Sequence, residues 1–163
     1  MEAPVERRTF LQSAALGATV LALPRAAHAE GAEFDGPIHW QPWEAGLKEA
    51  GARKKAICLV LYADWCPHCR ELAPAWKDAE VVKLAKGLVM IHQNVDERPE
   101  WMTRKYGHLG HYVPRILFLK PDGVVQEDIT SGNQRFPYFY QPQHLDALRA
   151  SMTRALGSKS AKG

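Results

Sequence analysis

Apolar residues change their spacing several times along this chain, and each change predicts a different element. Across 40–52, Trp40, Trp43, Leu47 and Ala50 recur every three or four residues, the stripe of an amphipathic helix ending near Gly51. Residues 56–63 form an unbroken apolar run, Ala-Ile-Cys-Leu-Val-Leu-Tyr-Ala, the pattern of a strand buried on both faces. Helical spacing returns over 66–86, with Leu72, Ala75, Trp76, Ala79 and Val82 on one side and Pro74 expected to kink it. A second apolar run at 88–95 predicts a strand, and 98–106 predicts a helix with Pro99 in its first turn. Residues 115–120 and 124–129 then flank Pro121-Asp122-Gly123, turn formers between β-favouring segments, which predicts a hairpin. Leu145, Leu148, Met152 and Leu156 predict a closing helix over 143–156.

The expected order is helix, strand, helix, strand, helix, strand, strand, helix. A strand-helix-strand unit pairs its strands in parallel through a right-handed crossover, and a hairpin adds antiparallel pairing. A central mixed β-sheet with helices on both faces buries every apolar stripe. The expected class is therefore α/β, in a single domain over 30–163 with no internal repeat.

The first residues follow another pattern. Arg7-Arg8-Thr9-Phe10-Leu11 leads into an apolar stretch over 11–23 and then Ala27-His28-Ala29. A charged start, an apolar middle and small residues at the end predict an export signal over 1–29, removed after Ala29. The apolar run falls short of the roughly 20 residues a spanning helix needs, so no stable membrane span is expected after signal removal. Paired arginines followed by Thr-Phe-Leu resemble a twin-arginine signal, which implies export of an already folded protein. The mature chain is expected in the periplasm or another extracytoplasmic compartment, where a disulfide can persist.

Composition narrows the function. An apolar fraction of 46% with 24% charged residues places the chain among soluble globular proteins. The net charge of +3, with bases scattered among acids, offers no basic stripe, so nucleic acid is not expected as a partner. Three cysteines are too few for a disulfide-stapled scaffold, and two of them stand in Cys66-Pro67-His68-Cys69 while Cys58 is alone.

Only a thiolate attacks a disulfide, and the unpaired N–H groups of a helix start favour the anion. Cys66 has that position, where the first long strand feeds a helix. Two intervening residues put Cys69 one turn along, near enough to close a small disulfide ring but deeper and less exposed. Cys66 is thus read as the attacking thiol and Cys69 as the resolving one. Pro67 suits the first turn, and His68 can place positive charge beside the Cys66 thiolate and tune it. Structural zinc would want four ligands, and no second CxxC supplies the other two; no metal is expected. Haem attachment would need a histidine where Arg70 stands. Cys58, between Ile57 and Leu59, reads as a small buried apolar residue.

Asp64-Trp65-Cys66-Pro67-His68-Cys69 after a buried strand, with Val113-Pro114-Arg115-Ile116-Leu117-Phe118-Leu119 further on, resembles the thioredoxin superfamily over nearly all of the mature chain. Within it, 43–50, 114–123 and Tyr138-Phe139-Tyr140 are similar to the small endoplasmic-reticulum thioredoxin-domain and anterior-gradient group. The Pro-His insert and the valine before Pro114 instead resemble the bacterial periplasmic oxidant DsbA. The resemblance implies a thioredoxin fold, a cis Pro114 lying against the active pair, and substrate binding at Val113, Pro114 and Trp65, where an extended client segment can add as a strand. It implies a thiol-disulfide oxidoreductase with no cofactor beyond a redox-active Cys66–Cys69 disulfide, oxidation favoured. Its partners would be protein thiol or disulfide substrates and a redox partner that regenerates the pair. Two other readings stay open, a periplasmic disulfide reductase and a copper or zinc chaperone using the same thiols with His108 and His111. One departure stands out: the buried acid that many thioredoxins carry six residues before the first cysteine is Val60 here, and His92 on the next strand is open to two readings, a substitute that handles the proton of Cys69 or, the more common case for a lone histidine there, a structural residue.

Overall fold

The computed structural model describes residues 34–157, so the expected export signal lies outside the described residues. Four strands form one sheet in the order β1-β3-β2-β4: β1 (Trp40–Gln41), β2 (Ile57–Tyr62), β3 (Val89–Asn94) and β4 (Arg115–Leu119). β1 and β2 each run parallel to β3, and β4 runs antiparallel to β2. The helices are α1 (Trp43–Arg53), α2 (Pro67–Leu72), α3 (Ala79–Ala85), α4 (Glu100–Tyr106) and α5 (Leu145–Gly157). This is the expected mixed sheet covered on both faces.

Alternation along β2 explains the two layers. Cys58 and Val60 face one side with Met90, Ile116 and Phe118, packed against Trp76, Val81, Leu148 and Met152. Ile57, Leu59 and Leu61 face the other with Ile91 and Leu117, packed against Trp43, Ala50, Met102 and Tyr106. A strand covered twice has no polar face to show, hence the unbroken apolar run. α1 lies close on β3: a Cβ added at Gly46 would come within 2.5 Å of the Ile91 side chain.

Three elements depart from the sequence expectation. Trp40 is in a strand and not in the first helix, because the residue before a proline is pushed toward extended backbone; Gln41 precedes Pro42, which caps α1. The long helix expected over 66–86 is three pieces. After α2 the chain tightens into a 3₁₀ turn, Ala73–Lys77, around Pro74, and then extends at Asp78 (φ −63°, ψ 132°) before α3. Asp78 accepts from the amides of Glu80 and Val81 and so starts a new helix. Arg149 of α5 donates two further bonds to that carboxylate, at 2.8 and 3.3 Å, and holds it below the usual aspartate range.

The third departure is the hairpin. Its turn forms, with Gly123 at φ 83° and the Val124 amide capped by Asp122, but the second arm makes only an isolated bridge at Val125 opposite Leu119, flanked by two bonds, Lys120 N–H to the Val124 carbonyl and Gln126 N–H to the Phe118 carbonyl. The rest of the β4 edge is covered by residues from further along the chain, the Tyr138 carbonyl accepting from the Ile116 amide at 2.9 Å. Among the described residues no helix is long and apolar enough to cross a membrane.

Candidate functional site

β2 ends at Tyr62, and four residues later Cys66 begins α2 as its N-cap, with extended backbone (φ −81°, ψ 116°) and Pro67 in the first turn. The Cys66 carbonyl already accepts from the Cys69 and Arg70 amides, so the side chain stands at the open end of the helix. Its Sγ lies 3.6 Å from the carbonyl oxygen of Val113. The Val113–Pro114 peptide bond is cis, and β4 starts at the next residue. Residues 47 positions apart are thereby brought together: Cys66 on one loop, Val113 and Pro114 on the other.

Exposure does not separate the two thiols. Cys66 is 3% exposed and Cys69 5%, where Cys69 was expected to be the less exposed of the two. Cys66 is covered because Val113, Val95 and Phe34 close over it and over Tyr62, Ala63 and Cys69. What distinguishes Cys66 is its place at the helix start. Cys58 is buried mid-strand, and burial pushes its thiol far above the usual range.

Trp65, 63% exposed, presents its indole to solvent beside Cys66, and its Nε1 donates to Asp96 at 2.8 Å. The motif loop is held from several directions. Asn94 Nδ2 donates to Asp64 Oδ2 at 2.9 Å, Asn94 Oδ1 accepts from the Asp96 amide, and Arg70 donates to the Asp64 carbonyl. Asn94, Asp96 and Arg70 were not picked out from sequence. The only hint was the polar His-Gln-Asn that closes β3. His68 has two neighbours: its Nδ1 lies 3.0 Å from Glu71 Oε2, and its ring meets Phe139 edge-on at 5.6 Å.

The loop before Pro114 is anchored from below. Arg115, buried at 4% exposure, donates to the Tyr106 carbonyl and packs over the Tyr112 ring, while the Tyr112 hydroxyl accepts from the Tyr138 amide. His108 and His111 are exposed in this loop. Among the described residues, no group of three or more His, Cys, Asp or Glu side chains is placed to hold a metal ion. Val60 sits directly between His92 on β3 and Ile116 on β4. His92 is stacked on Phe34 at 4.4 Å and edged by Trp40 and Tyr62, a packed aromatic setting on the face that carries Val60.

Residues 39–121 match a family model described as thioredoxin-like. Anterior gradient protein 2-B of Xenopus laevis is 30% identical over 121 residues, covering 73% of this chain and 71% of that protein. Anterior gradient protein 3 of Xenopus tropicalis is 31% identical over 127 residues, covering 73% and 72%. Among solved structures, a poplar thioredoxin h mutant matches with a TM-score of 0.56 at 21% identity, covering 77% of this chain and 88% of that one. At that identity the structural match speaks to the fold.

Proposed function

This chain belongs to the thioredoxin-like family and is a thiol-disulfide oxidoreductase, and on that premise we propose that Cys66 and Cys69 are its redox-active pair, oxidising exported protein clients. The observation that carries this reading is the meeting of the Cys66 sulfur with the Val113 carbonyl at 3.6 Å. It sets a thiol at a helix start against a backbone edge to which an extended client can add. Val113 and Pro114 then hold the client backbone, and the exposed Trp65 indole packs on its side chains.

In the oxidising direction a client thiolate attacks Cys66 Sγ of the Cys66–Cys69 disulfide, and Cys69 leaves as a thiolate. A second client thiolate attacks the client sulfur of the mixed disulfide, and Cys66 leaves. Two electrons have passed from the client to the pair, the client carries a new disulfide, and its two protons pass to the released thiolates or to water. A disulfide-bearing redox partner in the same compartment takes the two electrons back and restores the pair. Both sulfurs carry the electrons, so no bound cofactor is needed. The periplasm, reached through the export signal at 1–29, is the proposed setting.

His68 has its partner in Glu71, so its effect on Cys66 is through space and Glu71 offsets part of it. The Pro67-His68 insert resembles that of DsbA, and this resemblance supports an oxidising disulfide. On the scale where thioredoxin lies near about −270 mV and DsbA near about −120 mV, the protein should fall toward the second. Replacing Pro67-His68 by Gly-Pro should lower its potential by some tens of millivolts, read by equilibration with glutathione. A wild-type potential at or below that of thioredoxin would favour a reductase.

A further inference from the structure

Phe139 belongs to two places at once. Its ring meets His68 in the first turn of α2, and it also lines a pocket of about 320 Å³ with Ser131, Asn133, Gln141, His144 and Ala147. Through Phe139 the pocket therefore adjoins the Cys66-Pro67-His68-Cys69 turn.

The hydrogen-bonding groups of this pocket are unequally engaged. Asn133 Oδ1 accepts from the Arg135 and Phe136 amides at 3.0 Å each, so its oxygen is occupied and its amide nitrogen remains to donate. Ser131 Oγ accepts from the Asn133 amide and lies 3.5 Å from the Phe136 carbonyl. The Gln141 and His144 side chains have no hydrogen-bond partner among the described residues, and the His144 amide bonded to the Gln141 carbonyl puts both on one turn. The N–H groups that remain, on Asn133, Gln141 and the His144 imidazole, outnumber the acceptors that remain, the Gln141 oxygen and one ring nitrogen of His144.

The wall that carries them is fixed before any client arrives. The Ser131 amide donates to the Pro137 carbonyl at 2.7 Å and the Phe139 amide to the Phe136 carbonyl at 3.0 Å. The Tyr138 amide is held by the Tyr112 hydroxyl, on the same loop that leads to Val113 and Pro114. The fixed wall confines the ordering cost to the exposed Gln141 and His144 side chains, and a client that covers these donors without accepting from them is disfavoured.

We propose that this pocket is a specificity subsite for protein clients, taking an acceptor side chain, the carboxamide or carboxylate of Asn, Gln, Asp or Glu, close in sequence to the client's reacting cysteine. The inference rests on the exchange reading above and adds a substrate class to it. Backbone addition at Val113 and Pro114 is blind to client sequence; the pocket supplies the selectivity.

The test uses the oxidised protein and a set of dithiol peptides that differ only at the positions flanking each cysteine, carrying Gln, Glu, Leu or Lys there. Acid-quenched time courses give the rate of peptide disulfide formation. At one flanking position Gln and Glu should react about tenfold faster than Leu, the scale of one or two well-made hydrogen bonds. In the double variant Gln141→Ala/His144→Ala that preference should shrink to within about twofold, since the donors rather than the apolar floor create it. Its rate of reduction by dithiothreitol, which carries neither a carboxamide nor a carboxylate, should match wild type and also shows that the variant is folded and active. Equal rates for all peptides on the wild-type protein, or a preference that survives in the double variant, would overturn the subsite. Inactivity of the wild-type protein toward dithiothreitol and every peptide would instead overturn the exchange reading on which the subsite stands.

Discussion

Replacing Cys66 by serine should reduce disulfide exchange on the order of a thousandfold or more while leaving the fold in place, because a serine hydroxyl stays protonated where a thiolate is required. Folding should survive because serine is nearly the size of cysteine and its hydroxyl can donate to the Val113 carbonyl that Cys66 Sγ now faces. Cys58→Ser is the informative contrast. Cys58 is fully buried between the strands partnering Met90 and Phe118, with apolar neighbours on its face, so a hydroxyl there is desolvated and should cost about 1–3 kcal/mol. Its folded fraction should exchange disulfides at the wild-type rate, because burial keeps that thiol out of the chemistry. Turnover of a dithiol peptide and thermal melts on the two variants check both halves. Retained turnover in Cys66→Ser, or its loss in folded Cys58→Ser, would assign the nucleophile wrongly.

The second large effect belongs to Cys69. With Cys69→Ala the attacking sulfur is untouched, so reduced Cys66 should still open a client disulfide, but nothing remains within the protein to expel the client. Mixed disulfides should accumulate to a large fraction of the protein, where the wild-type protein shows only traces, and catalytic turnover should stop. Diagonal gels under non-reducing and then reducing conditions read the adducts directly. Cys69 is only 5% exposed, so alanine leaves a small cavity beside Tyr62 and Ala63 and the variant should remain folded. A folded variant that forms no adduct with any disulfide-bearing client would remove the resolving role.

The parts of this protein that could be read from sequence are those governed by local rules. β2 and β3 are visible as apolar runs because both faces are covered, and Cys66 could be set at a helix start because the strand before it and the proline after it are adjacent in the chain. Trp40 was misplaced because its three-residue spacing to Trp43 imitates a helix, and only Pro42 between them betrays the extended backbone. The break at Asp78 carried its own signal, an aspartate two residues before Glu80, but the continuing apolar stripe from Ala79 to Val82 hid it. Site partners were a different matter. Asp96 beneath the Trp65 indole, Asn94 on Asp64, and Phe139 against His68 are separated by 30 or more residues, and no pattern along the chain pairs them. Glu71 lies only three residues from His68, yet its claim on the imidazole becomes plain only when the helix face is seen.

The most direct measurement is a redox titration of the mature protein in glutathione buffers, with acid quenching, alkylation after denaturation and mass analysis of each cysteine. A single two-electron transition is expected, in which Cys66 and Cys69 lose their labels together while Cys58 stays labelled at every potential, with a midpoint above about −200 mV. A pair that keeps both labels in the most oxidising buffer, or a disulfide that joins Cys58 to either of them, would contradict the assignment of Cys66 and Cys69 as the redox-active pair.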